Sequence, residues 1–348
     1  RDHYKNLDYA ILYRTNAQSR IFEEALRKRN ILYKIYGGLS FYQRKEIKDL
    51  LAYFRILINP SDNEALKRII NFPARGIGQT TLTKLETEAV NSETSIWRII
   101  TDIHVKNPAN LNKGTISKIL NFSKLIQKFN TIILENEAYE SAKIIAEQTG
   151  ILKNLYNDKS PEGISRHENI QELLNGIQEF SINAKEEGRP DKLENYLEDV
   201  ALLTDQDNDK DENRDKVTLM TIHSAKGLEF KNVFVVGLEE KLFPSAQSQE
   251  KETPEAIEEE RRLFYVAVTR AKKNLFLSYP IVAGYKMLMG GPSMFLQEID
   301  QDLFEEQRGN NDMDYSHLSD ADDGVVYESL DNGWSSPKKR PTSFLMDV

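Results

Sequence analysis

Two short stretches combine residue types and spacing that suit phosphate chemistry. The first, residues 217–230 (VTLMTIHSAKGLEF), passes from an apolar strand pattern into a turn with hydroxyls, an imidazole, an ammonium and a glycine. Open α/β sheets bind ligands at the carboxyl ends of their strands, where this turn would lie. The second, residues 258–271 (EEERRLFYVAVTRA), predicts an amphipathic helix that delivers Arg270 beside a following strand at 274–279. A guanidinium so placed can reach a phosphate.

A basic and aromatic segment lies near the start of the chain. Bases stack on aromatic rings while cations follow phosphates, which is how single-stranded nucleic acid is bound without regard to sequence. The alternative is that Phe41 and Tyr42 are core residues at a domain junction. The candidates in this segment are Arg14, Thr15, Asn16, Arg20, Gly37, Phe41, Tyr42 and Arg44.

A glycine-containing turn, FPARGIGQTT at 72–81, lies between two helical patterns. Backbone N–H groups in such a turn can approach a phosphate, and the start of the next helix adds a favourable dipole. The alternative is an ordinary tight turn between helices. The candidates here are Arg75, Gly76, Gly78 and Thr80.

The spacing of apolar residues predicts the elements that position these groups. A strand at Tyr9–Tyr13, a helix at 19–29 and a strand at 33–36 form a β-α-β start, which predicts a parallel sheet. Strand patterns return only at Val217–Thr221 and 233–236, after the acidic segment 205–215. Helical spacing fills the interval, at 45–58, 62–71, 80–89, 116–134, 139–149, 166–184 and 192–203.

Composition limits the class of protein. The chain has 348 residues and no cysteine, so disulfides and thiolate metal sites are excluded. No apolar run is long enough to cross a bilayer and no signal-peptide pattern opens the sequence, so we expect a cytoplasmic protein without a membrane partner. From residue 300 onward, twelve acidic and four basic residues carry −8 of the net charge of −9, whereas residues 1–60 hold twelve basic and six acidic residues. The folded part can therefore present a basic face.

Residues 217–230 resemble motif V, and residues 258–271 motif VI, of the superfamily 1 DNA helicases of the UvrD, PcrA and Rep type. AILYRTNAQSR (10–20), IYGGLSFYQRKEIKDLLAYFR (35–55) and VFVVGLEEKLFP (233–244) extend the resemblance over most of residues 8–300. It implies an α/β fold: a RecA-like motor domain with a parallel sheet, the second lobe of a P-loop NTPase, interrupted by an all-α domain. The predicted divisions are 1–41 with 216–300 for the motor domain, 42–215 for the duplex-binding insertion and 301–348 for an acidic, mostly disordered tail.

The resemblance also implies roles for single residues. Arg270 is similar to the arginine finger that reaches the γ-phosphate of ATP, Glu229 to the glutamate that binds the ribose, and Gly227 lies beside the nucleotide. His223, Ser224 and Lys226 would contact DNA and couple it to the nucleotide. Two alternatives stay open: Arg270 could pair with a glutamate such as Glu259, and His223 could bond to the neighbouring strand.

Tyr285 falls near the tyrosine of the strand-separating pin in this family. The surrounding residues depart from the family pattern, because Lys286 stands where a glycine is usual and Met294 where an arginine is usual. The geometry of the pin is therefore an open point of the resemblance. The regions at 72–81 and 37–44 would contact duplex and single-stranded DNA, respectively.

The sequence contains no G-x-x-x-x-G-K-[ST] phosphate loop and no D-E-x-Q carboxylates. The resemblance therefore implies the carboxyl-terminal part of an ATP-dependent 3′–5′ helicase of repair or replication, which uses ATP and Mg²⁺ but holds no metal ligands in this chain. We expect the isolated chain to lack ATPase activity. The acidic tail could bind RNA polymerase or repair proteins. The alternatives are the motor of a recombination helicase-nuclease and a non-catalytic DNA-binding or partner-docking module.

Overall fold

A five-stranded parallel sheet forms one part of the protein. The computed structural model describes residues 4–107, 109–204, 214–250, 254–280, 282–283, 286–287, 291–303 and 305. The sheet has the order β2-β3-β1-β4-β5. Its strands are β1 (Tyr9–Tyr13), β2 (Tyr33–Ile35), β3 (Val217–Thr221), β4 (Phe230–Val235) and β5 (Ala271–Leu277). All four neighbouring pairs are parallel, which confirms the predicted α/β fold of the RecA-like kind.

β1 lies at the centre of the sheet and fixes its register. Ala10 pairs with Thr218 on one side and with Val233 on the other. Because the strands are parallel, their carboxyl ends lie along one edge and their amino ends along the opposite edge. We call these the carboxyl edge and the amino edge.

Helices cover both faces of the sheet. Helix α1 (Ser19–Lys28) follows β1 and places Phe22 and Leu26 against Tyr13 and Leu219. The other face packs against a later helix through a separate apolar cluster that includes Leu12, Met220 and Val235. Each strand of this centre is therefore buried on both sides, as is usual for parallel sheets.

Between β2 and β3 the described residues outside turns and loops form only helices. These are α2 (Lys45–Ile58), α3 (Asn63–Ile69), α4 (Gln79–Asn91), α5 (Ile96–Asp102), α6 (Lys113–Glu135), α7 (Ala138–Gln148), α8 (Ile151–Asn157), α9 (Pro161–Glu186) and α10 (Leu193–Thr204). They share one large apolar core that runs from Phe41 to Val200. We call this part the helical insertion.

The chain after β4 adds α11 (Ala246–Glu250), α12 (Pro254–Val268) and α13 (Met294–Gln297). α12 covers the sheet with Phe264 and Ala267, and Phe295 from α13 completes that cluster. A two-residue antiparallel ladder joins β6 (Val282–Ala283) to β7 (Lys286–Met287). Among the described residues, no helix has the length and apolar character needed to span a membrane.

Candidate nucleotide and nucleic-acid site

At the carboxyl edge, the side chain of Gln18 holds the loop after β1 in place. Gln18 Oε1 accepts hydrogen bonds from the backbone N–H groups of Arg14 and Thr15, each at 2.9 Å. The amide end of Gln18 lies against Gly237, just beyond β4, where an added Cβ would come within 2.3 Å of Nε2. Gln18 therefore ties the loop after β1 to the one after β4, and Asn16 is left exposed beside it.

The polar turn after β3 lies at the same edge. Thr221 Oγ1 and Ser224 Oγ are 3.0 Å apart and share a hydrogen bond. Gly37, beyond β2, has φ of +76°, and a Cβ there would come within 2.8 Å of Ser224 Oγ. A side chain at position 37 would therefore be both strained and crowded. The structure thus brings Gly37 and Ser224 together, as expected for candidates of one site.

His223 and Lys226 are exposed on this turn. His223 makes no hydrogen bond to another described residue, so a bond to the neighbouring strand is not seen there. Partial burial lowers the pKa of His223, and the charge of Arg14 lowers it further, against the opposing effect of Glu260 and Glu259. The imidazole is therefore largely neutral at physiological pH.

Arg14 forms a bidentate ion pair with Glu260 from the first half of α12. Arg14 Nε and Nη2 donate to the two carboxylate oxygens at 2.9 and 2.7 Å. Ser245 and Ser248 donate to the same carboxylate at 3.1 and 3.0 Å. Burial alone would raise the pKa of Glu260, but the hydrogen bonds and charge of Arg14 outweigh it and hold the pKa below its usual value.

Sequence reasoning missed both Gln18 and Glu260. Glu260 is buried, and it lies four residues before Phe264 and seven before Ala267, which face the core of the sheet. A carboxylate on the apolar face of an amphipathic helix is costly unless it is paired. That position in the helical pattern was the signal that could have identified Glu260.

Arg270 and Glu229 lie at the amino edge, not at the carboxyl edge that the sequence interpretation assigned to the ligand. Arg270 immediately precedes β5, and Glu229 immediately precedes β4. The connection from β3 crosses between the edges, since it leaves β3 at its carboxyl end and enters β4 at its amino end. Gly227 lies in this connection with φ of +84° and open space around it.

The guanidinium of Arg270 is held by oxygen atoms without formal charge. Nε donates to the Val266 carbonyl at 2.9 Å, Nη1 to the Leu228 carbonyl at 3.0 Å and Nη2 to Thr269 Oγ1 at 2.9 Å. The alternative pairing with Glu259 is not formed, since Glu259 pairs with Arg262 at 2.7 Å. The charge of Arg270 is thus not neutralised by a described carboxylate.

Glu229 is exposed at the amino edge and pairs with Lys272 at 3.3 Å. Both side chains are more than half exposed, so this pair contributes little to stability. Phe230 N–H donates to the Arg270 carbonyl at 3.0 Å, which places Glu229 and Arg270 side by side on neighbouring strands. The structure therefore brings the predicted nucleotide residues together.

Arg20 is not available to nucleic acid, which corrects the prediction for this residue. Its side chain is 2% exposed and its guanidinium binds Glu172 at 2.8 Å, Glu179 at 3.0 Å and Glu24 at 3.1 Å. Glu172 and Glu179 belong to α9, where Gly176 leaves room for the guanidinium. The cation instead joins α1 to the helical insertion.

Phe41, Tyr42 and Arg44 are also inside the protein, so the stacking and phosphate roles predicted for them are wrong for this structure. Phe41 and Tyr42 are 0% and 3% exposed and belong to the core of the helical insertion, which was the alternative left open. Arg44 donates to Asn169 Oδ1 at 2.8 Å and to Ser19 Oγ at 2.6 Å. Burial of the Phe41 and Tyr42 rings is favourable, whereas burial of the Arg44 guanidinium is costly and is offset by these hydrogen bonds.

Arg75 braces the turn at 72–81 from within. Its Nη1 donates to the carbonyls of Ile69 and Phe72 at 3.0 and 2.8 Å, and its Nη2 donates to Tyr53 Oη at 2.7 Å. Both terminal nitrogens of the guanidinium are thus bonded within the protein, so the structure gives Arg75 a structural role in place of the predicted direct phosphate contact. Gly76, Gly78 and Thr80 are exposed at the same turn.

Tyr285 and nearly all of the tail lie outside the described residues. Within the described part of the chain, no cluster of three or more His, Cys, Asp or Glu side chains could hold a metal ion.

Comparison with known proteins identifies the family. A family model described as the UvrD-like helicase C-terminal domain matches residues 1–280. The chain is 40% identical over 313 residues to the ATP-dependent DNA helicase PcrA of Staphylococcus epidermidis, which covers 88% of this chain and 41% of that protein. It is 41% identical over 309 residues to the ATP-dependent DNA helicase PcrA of Staphylococcus aureus, covering 86% of this chain and 40% of the relative. The chain thus spans about two fifths of the length of these relatives. The chain belongs to the UvrD-like helicase C-terminal domain family.

Proposed function

We propose that this chain is the second motor domain, with its inserted duplex-binding domain, of an ATP-dependent DNA helicase that moves 3′ to 5′ on single-stranded DNA. In this proposal the motor domain comprises residues 1–41 and 216–300 and the insertion residues 42–215. The relatives that it matches are ATP-dependent DNA helicases, and the chain spans about two fifths of their length. The intact enzyme would act in repair or replication.

One observation carries the proposal: α12 links the two groups of candidate residues across the sheet. Glu260, in its first half, holds Arg14 at the carboxyl edge. Arg270 lies two residues beyond its last residue, Val268, at the amino edge. A helix of 15 residues is about 22 Å long and stiff. A change at the nucleotide edge is therefore transmitted to the nucleic-acid edge by one rigid element.

Nucleotide binding is assigned to the amino edge. Arg270 is the proposed arginine finger, and its present acceptors are two carbonyls and a hydroxyl. Charge-assisted bonds to phosphate oxygens are roughly twice as strong as bonds to neutral acceptors, so a γ-phosphate within reach would displace them. Glu229 would accept a hydrogen bond from the ribose, and Gly227 keeps the adjoining backbone open.

ATP would supply the phosphoanhydride bond that is broken, and Mg²⁺ would supply positive charge that balances the phosphates. The residues present fit an anionic nucleotide, because the guanidinium of Arg270 has no described carboxylate partner. The ligands of Mg²⁺ would come from outside this chain.

Single-stranded DNA is assigned to the carboxyl edge. Arg14, Thr15, Asn16, Gly37, His223, Ser224 and Lys226 are the residues proposed to line it. Lys226 is exposed on the turn that follows β3, whereas Lys231 is exposed at the amino edge, where it pairs with Asp8 at 3.0 Å. These two lysines form a matched pair for testing the assignment.

The test measures binding of a fluorescent single-stranded oligonucleotide to the full chain by anisotropy. Lys226→Ala should weaken binding several-fold and make the salt dependence less steep by about 0.7, the slope of one phosphate contact. Lys231→Ala removes the same charge from the other edge and should leave binding unchanged. Equal effects of both substitutions would remove the single-strand assignment.

The direction of movement needs a protein with both motor domains. We would join this chain to the preceding part of the S. epidermidis relative and measure strand displacement from duplexes with a 3′ or a 5′ tail. Displacement of the 3′-tailed substrate alone, lost in Arg270→Ala, is the expected result. A preference for the 5′ tail would refute the proposed direction.

A further inference from the structure

Residues 103–134, which include all of α6 except its last residue Glu135, carry positive charge without any negative charge. Between residues 103 and 134 the sequence holds five lysines and one histidine but no Asp or Glu. Helix α9, of similar length, holds five glutamates. The whole chain has 55 acidic and 46 basic residues, so its composition does not by itself produce an acid-free stretch of this length.

Lys113, Lys124 and Lys128 share one face of α6. With 3.6 residues per turn, the three fall within a sector about 60° wide. The opposite side of the helix carries buried residues, among them Phe122 and Ile126. The three lysines are exposed and point directly away from the core. We call this face the lysine stripe.

Nothing in the described structure neutralises the lysine stripe. None of its three ammonium groups forms an ion pair with another described residue. Some lysines elsewhere are paired, for example Lys67 with Glu64 and Glu86. Solvated lysines are common, but unpaired cations aligned on one face with no carboxylate among them create a positive potential that an anionic partner can use.

The lysine stripe has the dimensions of a nucleic-acid backbone. From Lys113 to Lys128 the helix rises about 22 Å, and successive phosphates of one B-form strand advance about 3.4 Å along the axis. The stripe therefore extends along roughly six base pairs. Ser117 and Asn121 lie between the lysines on the same face and can donate hydrogen bonds to phosphate oxygens.

A fourth lysine joins the stripe to the glycine turn at 72–81. Lys118, on the flank of α6, donates from Nζ to the Gly76 carbonyl at 3.2 Å. A Cβ at Gly76 would come within 2.7 Å of the same Nζ, so the turn and the helix are in close contact. Gly78, at the start of α4, faces open space. The exposed turn and the lysine stripe thus belong to one continuous surface.

We propose that Lys113, Lys124 and Lys128 form a binding surface for the phosphate backbone of duplex DNA, continuous with the turn at Gly76 and Gly78. The proposal rests on the proposed function and extends its duplex-binding part to α6. Duplex DNA fits better than a single strand, because the stripe has no exposed aromatic ring on which unpaired bases could stack. It fits better than an acidic protein, since protein interfaces need exposed apolar or aromatic anchors, and the stripe has none.

The test compares two variants of the full chain that lose the same charge. One is Lys113→Gln with Lys124→Gln and Lys128→Gln. The control is Lys143→Gln with Lys153→Gln and Lys159→Gln, three lysines that are also exposed but lie outside α6. Binding of a fluorescent blunt duplex and of a single strand is measured over a range of salt concentrations, and circular dichroism checks that both variants are folded.

Loss of three phosphate contacts should make the salt slope for duplex binding less steep by up to about 2.7. Between 50 and 200 mM salt, the wild-type chain should then lose up to about 40-fold more duplex affinity than the α6 variant. The control should keep the wild-type slope, and single-strand binding should be the same in all three proteins. A variant with Arg at the three α6 positions should retain the wild-type slope.

Three other results would overturn the assignment, and they differ in meaning. If the wild-type chain binds duplex DNA and both Gln variants bind it equally, the lysine stripe is not the contact, while the proposed function stands. If the wild-type chain binds neither duplex nor single-stranded DNA, the proposed function fails and this inference fails with it. Loss of affinity for polyglutamate with unchanged duplex binding would instead identify an acidic protein as the partner.

Discussion

Arg20 offers a direct test of what holds the sheet and the helical insertion together. Its guanidinium binds Glu24 on its own helix and Glu172 and Glu179 on α9, and its side chain is 2% exposed. Arg20→Met keeps much of the apolar length and removes the cation. Three carboxylates are then left facing one another without a counter-charge.

The expected loss of stability follows from the burial of the partners. Removing one member of a buried ion pair costs about 3–5 kcal/mol, because the other charge remains unpaired. Glu179 is 44% exposed and water can solvate it, whereas Glu24 and Glu172 are 18% and 16% exposed. We therefore expect Arg20→Met to lower the free energy of unfolding by about 3 kcal/mol, the lower end of that range. This corresponds to a fall in melting temperature of roughly 6–12 °C.

The loss of stability in Arg20→Met should depend on pH in a definite direction. Burial raises the pKa of Glu172, and the charge of Arg20 opposes that increase. Without Arg20 the pKa rises further, so the folded variant binds this proton more tightly than the unfolded chain does. The stability gained by protonating Glu172 is complete below about pH 4.3, the pKa of this group in the unfolded chain. It is lost as the pH rises through the higher pKa of Glu172 in the folded variant. The variant should therefore be closer to wild type at about pH 5 than at pH 8.

Thermal melts followed by circular dichroism provide the measurement. Arg98→Met is the matched control, because Arg98 pairs with Asp102 at 3.0 Å on the surface, with side chains 69% and 47% exposed. That substitution should cost no more than about 0.5 kcal/mol. Adding Glu172→Gln to Arg20→Met should recover part of the loss. An Arg20→Met protein as stable as the control at pH 8 would refute the reasoning.

Three further predictions concern the two edges of the sheet. Glu260→Ala should cost about 2 kcal/mol in urea unfolding, less than a fully buried pair because Arg14 is 20% exposed. Since the pKa of Glu260 is lowered, this stabilisation is present above about pH 4.3 and disappears as the pH falls. Gly37→Ala places a Cβ 2.8 Å from Ser224 Oγ at φ of +76° and should weaken single-strand binding, whereas Gly38→Ala, with its nearest atom at 3.7 Å, should not. The isolated chain should release no phosphate from ATP above background, and turnover that disappears in Arg270→Ala would contradict this.

Local sequence patterns predicted the larger elements well. Lys45–Ile58 was expected as a helix and is one over the same residues, and Val217–Thr221 is a strand as expected. The helices Ile96–Asp102 and Ile151–Asn157 were missed. Each is only seven residues long, about two turns, so its apolar residues define the period weakly; the pattern at 62–71 did predict the equally short α3.

The candidate site was predicted less completely, because its geometry depends on distant partners. The charge of Arg20 suggested a phosphate contact, yet its carboxylates lie on α9, some 150 residues further along the chain. The opposite placement of Arg270 and Ser224 follows from the parallel direction of the strands, because Ser224 comes after β3 and Arg270 comes before β5. Residue types near one another in sequence thus identified the groups but not the edge on which each group lies.

The strand order also determines when the sheet can be completed during synthesis. β3 lies between β1 and β2 in the sheet and pairs with both. The two early strands therefore cannot be joined until β3 has emerged from the ribosome. All of α2 to α10 is made in that interval, and these helices have an apolar core of their own. Helices with mainly local contacts assemble quickly, whereas pairing between distant strands is slow. The late strand therefore enters a gap whose flanking helical scaffold has already formed, and the parallel sheet is completed last.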